Sequence, residues 1–293
     1  VGRAIAPAGA STGSAEAVDR RDGGDAFGGL DVRGAVNAVS GEISNTLRGR
    51  DPFDQAEVDR AMIELDGTTN KKRLGGNALV TTSMAVAHAA AASAGLPLWR
   101  FLGGKKENYK MPLPEIQIFG GGAHAGRRVD IQDFMVIAVG AQNYVQSLEW
   151  TAEVYRSAGK IMSDAGRLSG VADEGGFWPD FSSNEEALDF LVQAIEGAGF
   201  TPGNEIAISL DIAATDFGKE GQYRLAADDK TVDSDGLSEL LLRWLDKYPI
   251  VSIEDPLGED DPDAMAKFSA AAGSKVEVVA DDFICTAAAK IKN

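Results

Sequence analysis

Beyond residue 107 the chain alternates short apolar runs with stretches of helical periodicity, and that alternation limits the fold more than any other feature. Residues 134–139, 206–210, 250–253 and 276–279 are of strand length and rich in apolar side chains. Residues 144–165, 185–198, 237–245 and 264–271 carry apolar side chains at helical spacing. A further short run, residues 170–172, leads into Asp173. Strands joined by helical crossovers run parallel, so the pattern predicts a barrel or a doubly wound sheet.

The first hundred residues follow a different pattern. After a short glycine-rich entry, residues 36–47, 55–65 and 78–94 are predicted helices. Asp54 is placed to cap the second, and Gly95 and Pro97 stop the third, which is rich in alanine. The run Gly103-Gly-Lys-Lys106 has linker composition and sets a boundary between residues 1–106 and residues 107–293.

Three of the predicted strands end on an acid: Asp211, Glu254 and Asp281. In a parallel barrel the C-terminal strand ends form one face, so these three carboxylates are expected to converge. They lie 43 and 27 residues apart, against roughly 30 residues for each strand-helix unit of such a barrel. The longer gap contains a polar excursion, residues 217–229, that is predicted to form an inserted hairpin or lid. Carboxylates without Cys or His partners describe a hard-cation site, with magnesium the expected occupant. The competing explanation for any one of them is a helix N-cap. Asp255 and Asp282, directly after Glu254 and Asp281, are available to take that capping task instead.

With 28 basic and 45 acidic residues, the chain has a net charge of −17 and lacks the basic balance that nucleic-acid or anionic-membrane binding requires. Partners are therefore expected to be small molecules or further copies of the chain. An anionic substrate would need a local cation to offset the repulsion. The single cysteine, Cys285, cannot form an internal disulfide, and no zinc spacing is present, which points to a reducing cytoplasm. No run reaches the roughly 18 apolar residues of a membrane helix, and no signal-peptide pattern opens the chain. The chain begins at Val1 rather than Met, which leaves a removed leader open. Gly120 to Gly122 does not continue as a dinucleotide fingerprint, and no phosphate-loop Gly-Lys-Ser/Thr occurs.

Several longer motifs carry a family resemblance: Gly9-Ala-Ser-Thr-Gly13, Asp51-Pro-Phe-Asp-Gln55, Glu64-Leu-Asp-Gly-Thr68, Asn70-Lys71, Met84-Ala-Val-Ala-His-Ala-Ala-Ala91, Gly121-Gly-Ala-His-Ala125, Asp173-Glu-Gly-Gly-Phe177, Ser183-Asn-Glu-Glu-Ala187 and Ser252-Ile-Glu-Asp-Pro256. In this order and spacing the chain resembles the enolases (phosphopyruvate hydratases) over essentially its full length. The resemblance implies an α/β protein, with an α+β capping domain ahead of an αβ barrel whose second helix-strand order is unusual. Relative to the family, the first strands of the cap and the C-terminal barrel strands fall outside residues 1–293. It implies reversible dehydration of 2-phosphoglycerate to phosphoenolpyruvate, two magnesium ions, a small phospho-acid as partner and a homo-oligomer, a dimer or an octamer.

By the same resemblance Asp211, Glu254 and Asp281 match the ligands of the first metal, and Ser11 matches a mobile-loop serine that reaches the second, with Gly9 and Gly13 giving that loop freedom to close. Glu174 matches the general acid that protonates the leaving hydroxyl, which requires a raised pKa. His124 and Gln132 match residues that touch the substrate, and Asp133 stands in the same catalytic stretch. Ser11, Glu254 and Asp281 are expected within reach of the substrate too. His88, inside the alanine-rich helix, reads as structural. The lysine base matches a position beyond Asn293, and neither Lys290 nor Lys292 is nominated in its place.

Four departures bear on the substrate. Asp133 replaces a Glu, Gly120 replaces an Asn, Arg127-Arg128 replaces uncharged or acidic residues, and Trp178 replaces a small residue. Two guanidinium groups beside an anion site are able to grip a further carboxylate or phosphoryl group, or instead to pair with Asp130. An enolase-like enzyme acting on a related phospho- or phosphono-acid, such as a carboxyphosphonoenolpyruvate synthase, is thus the alternative to a true enolase. An inactive truncated relative is the third reading.

Overall fold

The structure is a computed structural model that describes residues 1–9 and 12–291. Ser11 lies outside the described residues. Two compact units divide the chain, one of Val1–Gly9 with Ala15–Tyr109, the other running from Lys110 and including residues 12–14.

The first unit is helical among its described residues. α1 (Arg33–Ala38) continues through a wider π turn, Val39–Ile43, into α2 (Ser44–Leu47). α3 (Gln55–Asp66) starts where the Asp54 carboxylate accepts the Glu57 backbone N–H, as expected, and stops at Gly67, whose φ of 69° suits glycine. α4 (Gly76–Ser93) and the short α5 (Leu98–Gly103) follow. Ile43, Val58, Met62, Leu74 and Leu79 fill the core between these helices. No strand occurs among the described residues of this unit, so its order rests on helix packing and on side-chain hydrogen bonds to its turns.

The second unit is built on a five-stranded sheet of order β1-β2-β3-β7-β8. Its strands are β1 (Glu115–Gly120), β2 (Asp133–Ile137), β3 (Ala207–Asp211), β7 (Ile250–Glu254) and β8 (Glu277–Val279). Two helices, α6 (Tyr144–Asp164) and α7 (Asn184–Gly197), lie between β2 and β3. α8 (Ser234–Lys247) precedes β7, and α9 (Pro262–Ala272) lies between β7 and β8; α10 (Ala288–Ile291) comes last. α6, α7, α8 and α9 each begin on a side-chain N-cap, from Asn143, Ser183, Asp233 and Asp261. The inserted excursion is a separate three-stranded sheet, β4 (Gly218–Lys219), β5 (Gln222–Leu225) and β6 (Lys230–Asp233), with Tyr223 and Leu225 buried beneath it.

The expectation of parallel strands throughout needs correction. β3, β7 and β8 pair in parallel, but β1–β2 and β2–β3 are antiparallel. The cause is the number of helices. One helix after a strand returns the chain to the starting end of the sheet, whereas two helices return it to the end where the strand finished. Residues 170–172 are not a full strand either; only an isolated bridge, Val171 to Phe177, forms there. The described strands form an open sheet with β1 and β8 at its edges, not a closed barrel. β1 is an additional strand, signalled by Ile116 and Ile118 alternating with Glu115 and Gln117. All residues of β2 and β3 are buried, so the sheet centre is covered on both faces. None of the described helices is long and apolar enough to cross a membrane.

Asp66 exemplifies how the first unit closes its turns. It is 2% exposed, and its carboxylate accepts the backbone N–H of Leu74 (2.7 Å) and of Thr68 (3.0 Å) as well as the Thr68 hydroxyl. Burial raises its pKa, but these bonds and the Arg73 charge together outweigh it and hold the group below the usual 3.8. A depressed carboxyl stabilises the fold above its unfolded pKa, and that contribution vanishes as pH falls through the folded value. Asp66→Asn is expected to cost about 1–3 kcal/mol at pH 7. In urea titrations at successive pH values the gap to the parent should close below pH 4; a constant gap contradicts the assignment.

Candidate active site

The strand registers assemble the site. Gly120 opposes Asp133, Asp133 opposes Asp211, Asp211 opposes Glu254 and Glu254 opposes Val279, so one row crosses the end of the sheet. Because β2 is antiparallel, its first residue, Asp133, joins the last residues of β3 and β7. Oxygens of Asp211, Glu254 and Asp255 come within 4.8 Å of one another. Asp281 is not in this group; it is exposed just past β8, and its charge is felt by Glu254.

Asp255 is the neighbouring acid that performs the capping task. It is 2% exposed and accepts the backbone N–H groups of Asp281 (3.1 Å), Asp282 (2.7 Å) and Phe283 (3.4 Å), fixing the turn that presents Asp281. Asp211 is oriented through both oxygens. Oδ1 accepts the Ala213 N–H at 2.9 Å, and Oδ2 accepts from Gln132 Nε2 at 3.0 Å. Gln132, expected to touch substrate, therefore also holds this carboxylate.

No described Lys or Arg forms an ion pair with Asp211, Glu254 or Asp255. Burial, then the charges of Glu254, Asp133 and Asp255, push Asp211 up to about 9, against a smaller opposing effect of the Ala213 N–H. Glu254 is raised to about 7 by burial and by Asp255, Asp281, Glu115 and Asp133. Such an all-oxygen, uncompensated group fits a hard divalent cation, with Asp211 and Glu254 as donors. Asp255 is already occupied by backbone.

On its other side Asp133 meets two more titratable side chains, His124 and Glu174, with one polar atom of each of the three within 4.8 Å of the others. His124 sits in the 3-10 turn Gly122–Ala125 and is buried, with Nδ1 unpartnered. Its Nε2 is 3.8 Å from Asp133 Oδ2 and 3.7 Å from Glu174 Oε1. Both separations exceed hydrogen-bond length, so a buried imidazole keeps its bonding capacity for a ligand. Burial raises Asp133 to about 6, with Glu174 assisting and the Gln117 hydrogen bond and His124 opposing. Glu174 is half exposed at the tip of a turn. Tyr155 on α6 holds that turn, donating its hydroxyl to Gly175 O at 2.7 Å and stacking on Phe177 at 4.3 Å between ring centroids.

The substrate-facing departures have internal partners. Arg127 Nη1 donates to Asp216 O at 2.7 Å, and Arg128 Nη2 pairs with Asp180 Oδ1 at 2.7 Å. Neither pairs with Asp130, which is buried and accepts from Ala226 N (2.8 Å), Ala227 N (3.1 Å) and Asn184 Nδ2 (2.8 Å). Trp178 stands over Gly126, where an added Cβ would meet its ring at 3.6 Å. Gly13 owes its small size to close approach, because a Cβ there would lie 2.2 Å from Cys285 Sγ.

Comparison with known protein families matches residues 108–293 to the family described as "Enolase, C-terminal TIM barrel domain" and residues 1–102 to "Enolase, N-terminal domain". The chain belongs to the enolase family. Its mixed sheet lies within the residues matched to the family's C-terminal domain, and the match supports a lyase of the enolase type.

A pH dependence follows for this enolase-family site. Asp211 and Glu254 have folded pKa values of about 9 and about 7, above the usual 3.8 and 4.5. The folded state therefore binds more protons than the unfolded state between those limits, and stability falls as pH rises. With EDTA present, the thermal midpoint is expected to decline from pH 5 to pH 9, and Asp211→Asn to flatten the decline. Magnesium should raise the midpoint most at the alkaline end, where its ligands are ionised. A midpoint that climbs with pH in EDTA rules this out.

Proposed function

We propose that this enolase-family chain belongs to a magnesium-dependent lyase that reversibly dehydrates 2-phosphoglycerate to phosphoenolpyruvate. The observation that carries the reading is the shared row. Asp133 stands between the Asp211–Glu254 carboxylates on one side and His124 with Glu174 on the other, so charge stabilisation and proton transfer have adjacent seats.

Asp211 and Glu254, with Asp281 presented by Asp255, are the residues that would hold magnesium. Bound there, the ion supplies the positive charge that proton loss beside a carboxylate demands. Gln132 keeps Asp211 turned toward the site through its 3.0 Å bond. His124, whose Nε2 faces Asp133 and Glu174, is placed beside the substrate's reacting groups. Glu174, half exposed and so able to meet a leaving hydroxyl, is the proton donor, and Asp133, which approaches the same Nε2 of His124, is placed to take up or return a proton. A cytoplasmic setting and assembly into a homo-oligomer belong to the same reading, the lone Cys285 supporting the first.

The pairing of Arg127 and Arg128 with Asp216 and Asp180 weighs against a further substrate acid group at that loop. The full-length protein is expected to form phosphoenolpyruvate from 2-phosphoglycerate, to stop in EDTA and to recover with magnesium. Asp211→Asn should lower kcat/KM by about 100-fold or more. Absence of turnover by the parent protein on this substrate sinks the reading. Replacing Arg127 and Arg128 by Ala should change kcat/KM by less than about threefold, as exposed ion pairs do. A loss of about 100-fold there would instead favour a phosphono-acid substrate.

A further inference from the structure

Asp133 and Glu174 have very different mechanical supports. Asp133 is buried on β2, paired on both sides by neighbouring strands, whereas Glu174 rides a turn that has no strand of its own. That turn touches β1 through Phe177, whose N–H donates to Ile118 O at 2.8 Å and whose carbonyl accepts from Gly120 N at 3.3 Å. One side chain runs between the two acids' supports. Gln117, on β1 and 8% exposed, donates from Nε2 to Asp133 Oδ1 and accepts the Gly176 N–H on Oε1 at 2.8 Å.

The chemistry of both partners leaves the amide one orientation. A backbone N–H can only donate and an ionised carboxylate can only accept, so Oε1 must face Gly176 and Nε2 must face Asp133. The surroundings are cut to fit that amide. A Cβ on Gly120 would lie 3.1 Å from both Gln117 Nε2 and Oε1 and 2.4 Å from the Ala172 Cβ; a Cβ on Gly176 would lie 2.7 Å from Gln117 Oε1. Two of the departures from the family pattern, Gly120 and the shortened Asp133, thus meet at the same side chain.

We propose that Gln117 is a positioning residue: its amide ties the Asp133 carboxylate to the turn bearing Glu174 and so sets the spacing of the two acids that approach the same Nε2 of His124. The proposal deepens the reading of the site as a dehydrating enzyme and rests on it for its kinetic consequence. Glu or Leu at 117 cannot serve, since the first offers no donor and the second neither donor nor acceptor. Asn is one methylene too short.

Two measurements on the full-length protein test this. In the first, backbone amide exchange at Gly176 is followed by NMR; Gln117→Leu, which keeps the bulk and removes the acceptor, should accelerate it by about tenfold or more. In the second, kinetics are compared for Gln117→Asn, Asp133→Glu and the double variant, which moves one methylene across the Gln117–Asp133 hydrogen bond. Each single change should lower kcat by about 10- to 100-fold with KM altered less than about threefold, and the double variant should recover at least about tenfold over Gln117→Asn. Unchanged Gly176 exchange in Gln117→Leu overturns the tie. A double variant whose loss is the product of the single losses overturns the positioning role. Should Gln117→Leu fail to fold, the methylene exchange still decides. A parent protein without turnover counts against the proposed function, and the exchange measurement then decides the tie alone.

Discussion

Three neighbouring strands place a carboxylate at the same end of the sheet, β2 with its first residue and β3 and β7 with their last, with no Lys or Arg among the described side chains paired to Asp211 or Glu254, and the rest of the second unit is arranged around that repulsion. Desolvating carboxylates and crowding them both favour the neutral form, which is why Asp211, Glu254 and Asp133 are all displaced upward. A fold does not retain such a group for stability. It costs free energy in the absence of a ligand and becomes favourable when a divalent ion neutralises it, so the arrangement is intelligible as preorganisation.

The supports are correspondingly rigid and mostly neutral. Asp255 is held by three backbone N–H groups, Asp211 by a backbone N–H and an amide, and Asp133 by the Gln117 amide. Backbone groups and amides orient a carboxylate without cancelling its charge, which an arginine in the same place would do. The positive side chains are used one layer out. Arg127 and Arg128 join the His124 loop to Asp216 and Asp180, and Arg167 pairs with Glu186 at the start of α7.

Strand ends and helix caps were legible in the sequence because they depend on local chemistry. Asp211 and Glu254 stand at the ends of apolar runs, and Asp54 caps its helix as its position suggests. The direction of β2 was not legible from periodicity, since it depends on whether one helix or two intervene, and residues 170–172 look enough like a strand to hide the difference. Gln117 gives no signal at all. A glutamine in a short strand has no motif, and its partners, Asp133 and Gly176, are 16 and 59 residues away. The arginines were legible only as charges: the sequence offered a ligand or Asp130 as their partner, and in the fold they pair with Asp216 and Asp180 on neighbouring loops.

The hydrogen bonds to Asp130 have a consequence for how the inserted sheet is able to vary. Asp130 reaches the β5–β6 connection through the backbone N–H groups of Ala226 and Ala227, and Asn184 bridges to Asp228 from α7. The polar part of that attachment uses only the amide hydrogens of the two alanines. The exposed Ala226 can change its side chain and leave the link to residue 130, two positions before Gln132, intact, whereas Ala227 also packs against the core. Proline, having no N–H, would cut it at either position, so this part of the attachment depends on the backbone at 226 and 227 and not on their side-chain polarity.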